Sequence, residues 1–234
     1  ELINFAVWGK SKLEGLKAAE YVLKWNGNNN EAAYSFCMCP GGKVVQSAPR
    51  EGLSIVNGMS NYLRNSEFEN SAIVVPFRLE EQFKKNVSAA FMIDYIEELE
   101  SRVWSLKNSF EVPANNIQDF LNNRVSNNLM QNSYSHGVFS YDFKEIFDKD
   151  TIRQLQLALS HFSTKLYGFE KGIMMGLESK TSAAVQIERD SENFNCIGFN
   201  NLYSAGEGSG YAGGIVSSAV DGIKVAMQIV KNHQ

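Results

Sequence analysis

The spacing of hydrophobic positions changes along the chain, and the first part has the pattern of a sheet. Up to about residue 79, short β-prone runs alternate with turns rich in Gly, Asn and Pro. The runs at 20–25 and 32–38 flank Asn26-Gly27, a pairing that predicts a β-hairpin. Further strands are predicted at 43–47, 53–56 and 71–78. Residues 20–79 are therefore predicted to form an antiparallel β-rich region.

From about residue 80 the hydrophobic period becomes helical. Apolar residues recur every three or four positions from Phe83 to Leu106, which predicts a long amphipathic helix with Glu97, Glu98 and Glu100 on its solvent face. Helices are also predicted at 116–124 and after Asp150, a residue of the kind that caps a helix. Residues 80–170 are thus predicted to be helical, followed by a hairpin at 173–189.

The last residues predict a strand, a glycine turn and a helix. A short apolar strand at 202–205 runs into five glycines between Gly206 and Gly214. These three parts predict an α+β fold. They also predict two regions, a substrate or cap region at 1–190 and a strand–turn–helix unit at 191–234.

The glycine turn is the first candidate site. Gly208, Gly210 and Gly213 match G-x-G-x-x-G, and such glycines let a backbone approach a ligand whose anionic group meets the start of a helix. A dinucleotide-binding unit, however, continues into a second strand with an acidic residue about 20 positions on. The remaining residues have a helical pattern instead. The turn therefore has two interpretations, a nucleotide-cofactor contact or a tight turn packed on a sheet.

Composition limits the function classes. The 234 residues are 44% hydrophobic and 21% charged with a net charge of −4, so no basic surplus favours nucleic acid. No apolar stretch has the roughly 20 residues of a membrane span, and no basic signal segment precedes residue 5. Three cysteines, an odd number, argue against a disulfide framework and for a cytoplasmic protein.

Cys37 and Cys39 form the second candidate site, as weak candidates for catalytic residues. They stand at C-x-C spacing before the turn Pro40-Gly41-Gly42, and alternation along a strand would point both thiols to one face. They are either redox thiols near a flavin or two small buried residues at a strand end. A zinc site would need four ligands, and no such spacing is present, so no metal site is predicted.

Other polar residues stand at turns where a ligand could contact them. Asn57 and Met59 flank Gly58 at the end of a predicted strand, and Thr181 and Ser182 lie at a polar hairpin tip. Glu207 lies within the glycine turn. Its carboxylate could accept hydrogen bonds from a sugar or polyol, or stabilise the helix start through the helix dipole.

Five segments together resemble a known family. They are S-F-C-M-C-P-G-G (35–42), V-N-G-M-S (56–60), N-S-A-I-V-V (70–75), G-L-E-S-K-T-S (176–182) and L-Y-S-A-G-E-G-S-G-Y-A-G-G-I-V-S-S-A-V-D-G (202–222). In this order they resemble bacterial FAD-dependent oxidoreductases described as FAD-dependent or NAD(FAD)-utilising dehydrogenases. The resemblance extends over most of the chain from about Tyr34 and implies the C-terminal portion of such a protein.

The resemblance implies a flavin site and a substrate region. It implies that the ADP half of FAD is held by an N-terminal βαβ unit that this sequence lacks. The flavin and ribityl-phosphate end would be lined by Gly206, Glu207, Gly208, Gly210, Gly213, Gly214 and Ile215. The region from about Tyr34 to Arg189 would face the isoalloxazine, with Cys37 and Cys39 among its candidates and Asn57, Met59, Thr181 and Ser182 on the substrate side.

The resulting functional hypothesis is an FAD-dependent oxidoreductase of unknown small-molecule substrate. Hydride would pass through the flavin, with NAD(P)H as a possible co-substrate. This chain alone is expected to be inactive and, without the ADP half, to bind FAD weakly or not at all. The alternative, from another class, is a non-catalytic module that binds a nucleotide or a partner through the same glycine turn.

Overall fold

The computed structural model describes residues 18–28, 31–77 and 88–232, together with Ile3, Ala6, Val7, Gly9, Gly15 and Phe83. The chain divides into two compact units. Unit 1 comprises Glu1–Gln82 and Glu97–Glu178, and unit 2 comprises Phe83–Ile96 and Ser179–Gln234. The predicted boundary at residue 190 stays a prediction.

The first sheet of unit 1 contains the predicted hairpin. Strands β1 (Lys24–Asn26) and β2 (Ala32–Cys39) pair antiparallel on either side of the Asn-Gly turn, and β5 (Asn70–Val74) pairs antiparallel with the other edge of β2. Strand β5 is the run predicted at 71–78, although it ends at Val74. The order β1-β2-β5 places the end of β2 beside the start of β5, with Cys39 opposite Asn70.

A second antiparallel pair lies in the predicted β-rich region, with a different register. It joins β3 (Gly42–Gln46) to β4 (Val56–Ser60). The prediction of a strand at 53–56 is wrong for residues 53–55, because β4 begins only at Val56. Their backbone bonds are non-local, because Ser54 N–H donates to the Glu100 carbonyl and Val56 N–H donates to the Leu177 carbonyl.

The third sheet corrects the prediction for residues 80–189. Strand β6 (Val112–Asn116) lies between β7 (Val138–Ser140), which is parallel to it, and β8 (Ile173–Met175), which is antiparallel. The segment 80–170 is therefore not helical throughout. The hairpin predicted at 173–189 does not form either, because β8 pairs with β6 and residues 176–188 contain no strand.

Three helices lie in the middle region, and the one predicted at 116–124 is shorter than predicted. Residues 84–87 of the helix predicted from Phe83 to Leu106 lie outside the described residues. The three helices are α1 (Ala89–Ser105), α2 (Ile117–Leu121) and α3 (Lys149–Lys165). The cap of α3 is Asp148 rather than Asp150, since the Asp148 carboxylate accepts the backbone N–H groups of Asp150 and Thr151 at 2.9 and 3.0 Å. This bond pattern satisfies two of the donors that a helix start leaves free.

The core lies in unit 1. Helix α3 packs its apolar face on β1 and β2, and Phe162 and Ala158 of this face are fully buried. Val103 of α1, Phe120 of α2 and Leu177 belong to the same cluster. Burial of this surface is the main source of stability for unit 1.

Unit 2 has a different balance of buried and exposed apolar surface. Its described residues contain α4 (Ile215–Asn232) and two isolated β-bridges, so the strand predicted at 202–205 is reduced to the bridge at Tyr203. Among them only Cys196 and Val225 are buried apolar residues. Many of its large apolar side chains are exposed: Ile93, Ile187, Ile197, Phe199, Leu202, Ile215, Val216, Val220, Ile223, Met227 and Val230.

Candidate functional site

The glycine turn of unit 2 has a backbone shape that two of its glycines make possible. Gly206 has φ 74° and ψ −151°, a region open essentially to glycine alone, and Gly210 is left-handed with φ 81°. Between them Glu207–Ser209 form one 3-10 turn. A Cβ atom on Gly210 would come within 2.6 Å of the Val185 carbonyl oxygen. Glycine is therefore required at both positions by the chain itself.

Asp221 of α4 holds the start of this turn. Its Oδ2 accepts the backbone N–H of Gly206 at 2.9 Å. The same carboxylate receives both Nη atoms of Arg189, at 2.6 and 2.9 Å. The side chains of Arg189 and Asp221 are only 6% and 13% exposed, so this bidentate pair is shielded from water.

Arg189 ties a third element into the arrangement. Its Nη1 also donates to the Ser204 carbonyl at 2.8 Å. Its guanidinium carbon lies 3.6 Å from the ring centroid of Tyr211 and 4.9 Å from that of Phe194. Arg189 therefore contacts Ser204, which precedes the glycine turn, and Tyr211, which lies within it.

The charges of this pair stabilise each other. Hydrogen bonds from Arg189 are the main reason that the pKa of Asp221 falls to about 2, and the Gly206 N–H contributes. The hydrogen bond to Asp221 raises the pKa of Arg189. The carboxylate is therefore ionised over the whole neutral range, and the turn is held by charge-assisted bonds.

At three other positions of the turn, the described residues leave room for a side chain, so glycine is not required there for steric reasons. A Cβ atom on Gly208 or Gly213 would meet no atom within 4 Å among the described residues, and neither has a positive φ. On Gly214 it would meet only Ser217 Oγ, at 3.6 Å. The backbone at these positions is open to close approach by another molecule.

Two buried hydroxyls beside the turn have no hydrogen-bond partner among the described residues. The Oγ atoms of Ser204 and Ser218 are buried and make no hydrogen bond to any residue that the structure describes. A Cβ atom on Gly206 would lie 3.4 Å from the Ser218 Cβ, which places Ser218 against the turn. Buried polar groups normally have partners, so unpaired ones suggest that a further group belongs here.

Helix α4 begins just after the turn, at Ile215. The Gly214 N–H donates to Ser217 Oγ at 3.1 Å, and no acceptor within the described residues takes the N–H groups of Ile215 and Val216. Glu207 is exposed and lies outside the first turn of α4. The free N–H groups give this end of the helix its partial positive charge.

The thiols of unit 1 lie on an interrupted strand. A β-bulge falls between Phe36 and Cys39, and Cys37 has the left-handed φ of 47°. Cys37 is exposed, whereas Cys39 is half-buried and its Sγ donates to the Cys37 carbonyl at 3.3 Å. The regular alternation that would point both thiols to one face is therefore broken, and Cys37 is not the buried residue of the second interpretation.

Gly58 brings the Cys39 thiol and the Asn70 amide together. A Cβ atom on Gly58 would lie 2.1 Å from Asn70 Oδ1 and 3.1 Å from Cys39 Sγ, so both side chains cover this glycine. Asn57 and Met59, the neighbours of Gly58 in β4, are exposed. Because side chains alternate along a strand, they lie on the opposite face from the thiol.

Glu178 joins this thiol–amide pair through the end of β8. Gly176 has φ 79°, and a Cβ atom there would lie 2.3 Å from Val56 Cγ2. Leu177 then accepts the Val56 N–H at 2.9 Å. This contact holds the chain at β4, and Glu178 follows it near enough to raise the pKa of the Cys39 thiol. Burial raises the pKa of Glu178 itself.

The sequence-predicted residues thus fall into separate groups. Unit 2 holds the glycine turn and also Thr181, which is half-buried, and Ser182, which is exposed. Unit 1 holds Cys39, Asn70 and Glu178 together, with Asn57 and Met59 on the other face of β4.

Sequence reasoning did not select four residues with clear roles in these sites: Asn70, Glu178, Arg189 and Asp221. Asn70, Glu178 and Asp221 lie within segments that carried the family resemblance, which is the signal that could have identified them.

The described residues offer neither a metal site nor a membrane-spanning helix. In them no group of three or more His, Cys, Asp or Glu side chains could hold a metal ion. No helix in the part of the chain that the structure describes is long and apolar enough to cross a membrane.

Comparison with known proteins decides the family. Residues 1–181 match the protein family described as FAD-dependent protein, C-terminal domain-like. The chain belongs to this family. It is also 37% identical over 240 residues to an uncharacterized protein of Clostridium beijerinckii. That alignment covers 99% of this chain and 44% of the relative, so the chain spans less than half the length of that relative.

Membership of the FAD-dependent C-terminal domain family relates the chain to flavoproteins. The matched residues include the cluster of Cys39, Asn70 and Glu178 and end before the glycine turn. The alignment to the clostridial protein, which covers nearly the whole chain, extends beyond the family match. The family match therefore relates the residues of unit 1 to FAD-dependent proteins. It does not include the glycine turn of unit 2.

Proposed function

We propose that this chain is the C-terminal part of an FAD-dependent oxidoreductase and that its glycine turn contacts the flavin cofactor. The observation that carries the proposal is that the backbone requires glycine at some positions of the turn and not at others. Gly206 and Gly210 are required by the backbone, whereas Gly208 and Gly213 leave open space that no described residue fills. A ligand that packs directly on the backbone explains why these positions lack side chains.

The groups around the turn fit the polar part of FAD. The free N–H groups at the start of α4 suit a phosphate oxygen, because the helix dipole and the unpaired donors act together. The unpaired hydroxyls of Ser204 and Ser218 suit ribityl or phosphate oxygens. Exposed Glu207 is available as an acceptor for a polyol hydroxyl.

The exposed apolar surface of unit 2 supports the proposal that it completes a larger flavin-binding domain. Val216, Val220, Ile223, Met227 and Val230 are all at least 45% exposed and follow one another at alternating steps of four and three residues. This spacing puts them on one face of α4. A continuous apolar face of this kind is normally covered, and in the parent protein the ADP-binding half would cover it.

In this proposal the flavin supplies the hydride chemistry and the chain supplies its position. Asp221 and Arg189 hold the backbone of the turn at a fixed distance from the first turn of α4. The substrate is a small organic molecule, and NAD(P)H is the proposed source of the hydride.

Flavin content of the full-length polypeptide that contains this chain tests the proposal. We expect the purified protein to show flavin absorption that co-elutes with it and that bleaches when NADH or NADPH is added without oxygen. Gly208→Ala or Gly213→Ala should lower the flavin content strongly and leave the thermal unfolding of the apoprotein unchanged, because neither added methyl meets the chain.

Gly222→Ala is the matched control. Gly222 also has open space around a Cβ atom, but it lies inside α4, where alanine is favoured over glycine. It should retain full flavin. A colourless full-length protein that ignores added FAD would refute the proposal. Flavin that is bound but not reduced by either nucleotide would favour the alternative, a nucleotide-binding module without turnover.

A further inference from the structure

Three polar side chains of unit 1 lie near the point where β2 ends and β5 begins. Cys39 and Asn70 are opposite each other in the sheet, and the Cys39 Sγ and Asn70 Oδ1 atoms both lie over the Cα of Gly58. Glu178 is the third, because its charge acts on the Cys39 thiol. The cluster does not include the glycine turn and has no role yet in binding the flavin.

Asn70 brings a hydrogen-bond donor that the described residues leave unused. Its Nδ2 is buried and has no partner among the described residues. An unpaired buried N–H group is unfavourable, so an acceptor that reaches it gains from pairing with it. The Oδ1 atom of the same amide lies over Gly58 beside the Cys39 Sγ atom, so the donor is close to the thiol.

Glu178 is a carboxyl group that no cation of the described residues pairs with. In the part of the chain that the structure describes it makes neither an ion pair nor a hydrogen bond, and burial raises its pKa. Burial is also the largest cause that raises the pKa of Cys39. Arg64 acts on the thiol in the opposite sense, but its guanidinium is paired with the Glu20 carboxylate. The cluster therefore favours uncharged groups.

We propose that Cys39, Asn70 and Glu178 form a binding site for the carbonyl group of a small uncharged molecule, such as a ketone, an amide or a quinone. The unpaired Asn70 amide N–H is a donor, and a carbonyl oxygen is an acceptor that carries no charge. A carboxylate or phosphate is disfavoured, because Glu178 repels an anion when it is ionised and no free cation is present among the described groups that act on the thiol.

This assignment does not rest on flavin binding. The carbonyl group could belong to a substrate or to the flavin ring itself, and both have the same chemistry. If the proposed function holds, the first source names the substrate class of the oxidoreductase.

A pair of alkylating reagents of equal size tests the site. Iodoacetamide carries a neutral carbonyl, iodoacetate carries a carboxylate, and both react with the same thiolate, so the ratio of their rates cancels the pKa of the thiol. The full-length polypeptide is alkylated with each reagent, and modification of Cys39 and of exposed Cys37 is followed by mass spectrometry. Cys37 is the internal reference within the same molecule.

We expect the iodoacetamide to iodoacetate rate ratio to be about five- to tenfold higher at Cys39 than at Cys37, the effect of one hydrogen bond plus anion repulsion. Asn70→Ala should slow the iodoacetamide reaction at Cys39 and leave that at Cys37 unchanged. Glu178→Gln, which keeps the shape, should speed the iodoacetate reaction at Cys39. Equal ratios at the two cysteines, or a high ratio that neither variant lowers, would overturn the proposal.

Added FAD separates the two sources of the carbonyl group. If FAD slows alkylation of Cys39 by iodoacetamide but not that of Cys37, the flavin ring supplies the carbonyl. If Cys39 keeps its preference for iodoacetamide while FAD is bound, the site is left for a substrate. A protein that binds no FAD at all would refute the proposed function, and the reagent ratio would still decide this inference.

Discussion

Replacement of Asp221 by Asn tests whether the buried ion pair holds the glycine turn. The Asp221 carboxylate accepts two bonds from Arg189 and one from the Gly206 N–H. In Asp221→Asn one carboxylate oxygen becomes an NH₂ group, which faces a guanidinium that can only donate. The variant therefore loses the charge and at least one bond, while its side chain keeps the same size.

The size of the effect follows from the pKa of Asp221. Its pKa falls from the ordinary value of 3.8 to about 2. This difference corresponds to about 2 kcal/mol of interaction with the charged form, because one pKa unit is about 1.4 kcal/mol. We expect the variant to lose about that much local stability. The backbone amides of Gly206–Gly210 should then exchange about thirtyfold faster.

The pH dependence has a defined sign. The folded pKa of Asp221 lies below its ordinary value, so its contribution is fully present above about pH 4 and is lost as the pH falls through about 2. Hydrogen–deuterium exchange, corrected for the intrinsic rate at each pH, should show protection of Gly206 falling over this interval. In Asp221→Asn the protection should be low and should not change over this pH interval.

Asp190→Asn is the matched control in the same unit. Asp190 accepts the backbone N–H groups of Glu192 and Asn193, and asparagine can accept them as well. This control should leave exchange at Gly206 unchanged. Wild-type protection that stays constant from pH 4 to pH 2, or an Asp221→Asn variant with normal exchange, would refute the role of the ion pair.

Two further predictions concern unit 1. The Tyr134 hydroxyl donates to the Phe110 carbonyl at 2.7 Å. Tyr134→Phe removes this bond and should lower the free energy of unfolding, measured by urea denaturation, by about 1 kcal/mol. Burial raises the pKa of Tyr134 to about 12. The contribution of Tyr134 is complete below pH 10 and is lost between pH 10 and 12, and wild type and variant should converge there. Asp148→Ala removes the cap of α3 and should cost about 1 kcal/mol, whereas Asp150→Ala should cost less; equal losses in urea unfolding would contradict the cap assignment.

Local signals in the sequence predicted those parts of the fold that depend on neighbours in the chain. The β1–β2 hairpin follows from the Asn-Gly turn between two β-prone runs, and the turn needs no distant partner. The helical period from Phe83 to Leu106 likewise contains α1. Gly206 and Gly210 could be recognised as special positions because a tight turn before a helix requires glycine.

Elements that depend on distant pairing could not be predicted. Strand β6 reads V-P-A-N-N, which has no strand period and contains a proline, and it exists because β7 and β8 pair with it. Glu100 was expected on the solvent face of α1 but is fully buried, although Glu97 and Glu98 are exposed. The helical period alone does not show which further elements cover a helix.

The candidate sites show the same limit. The glycine turn is continuous in sequence and was identified, but its ion pair joins Arg189 to Asp221 across 32 positions. The cluster in unit 1 collects Cys39, Asn70 and Glu178 from three segments. Each segment carried the family resemblance, but nothing in their spacing states that the three side chains meet.

The arrangement of the third sheet also has a consequence for the order of folding. Strand β6 is the central strand, but its antiparallel neighbour β8 pairs Met175 with Ala114, a loop of about 60 residues that must close first. Closing such loops slows folding, since entropy is lost before the contacts form. A nascent chain that ends before Ile173 therefore leaves one edge of β6 open, and we expect unit 1 to reach its native state only after β8 has been synthesised.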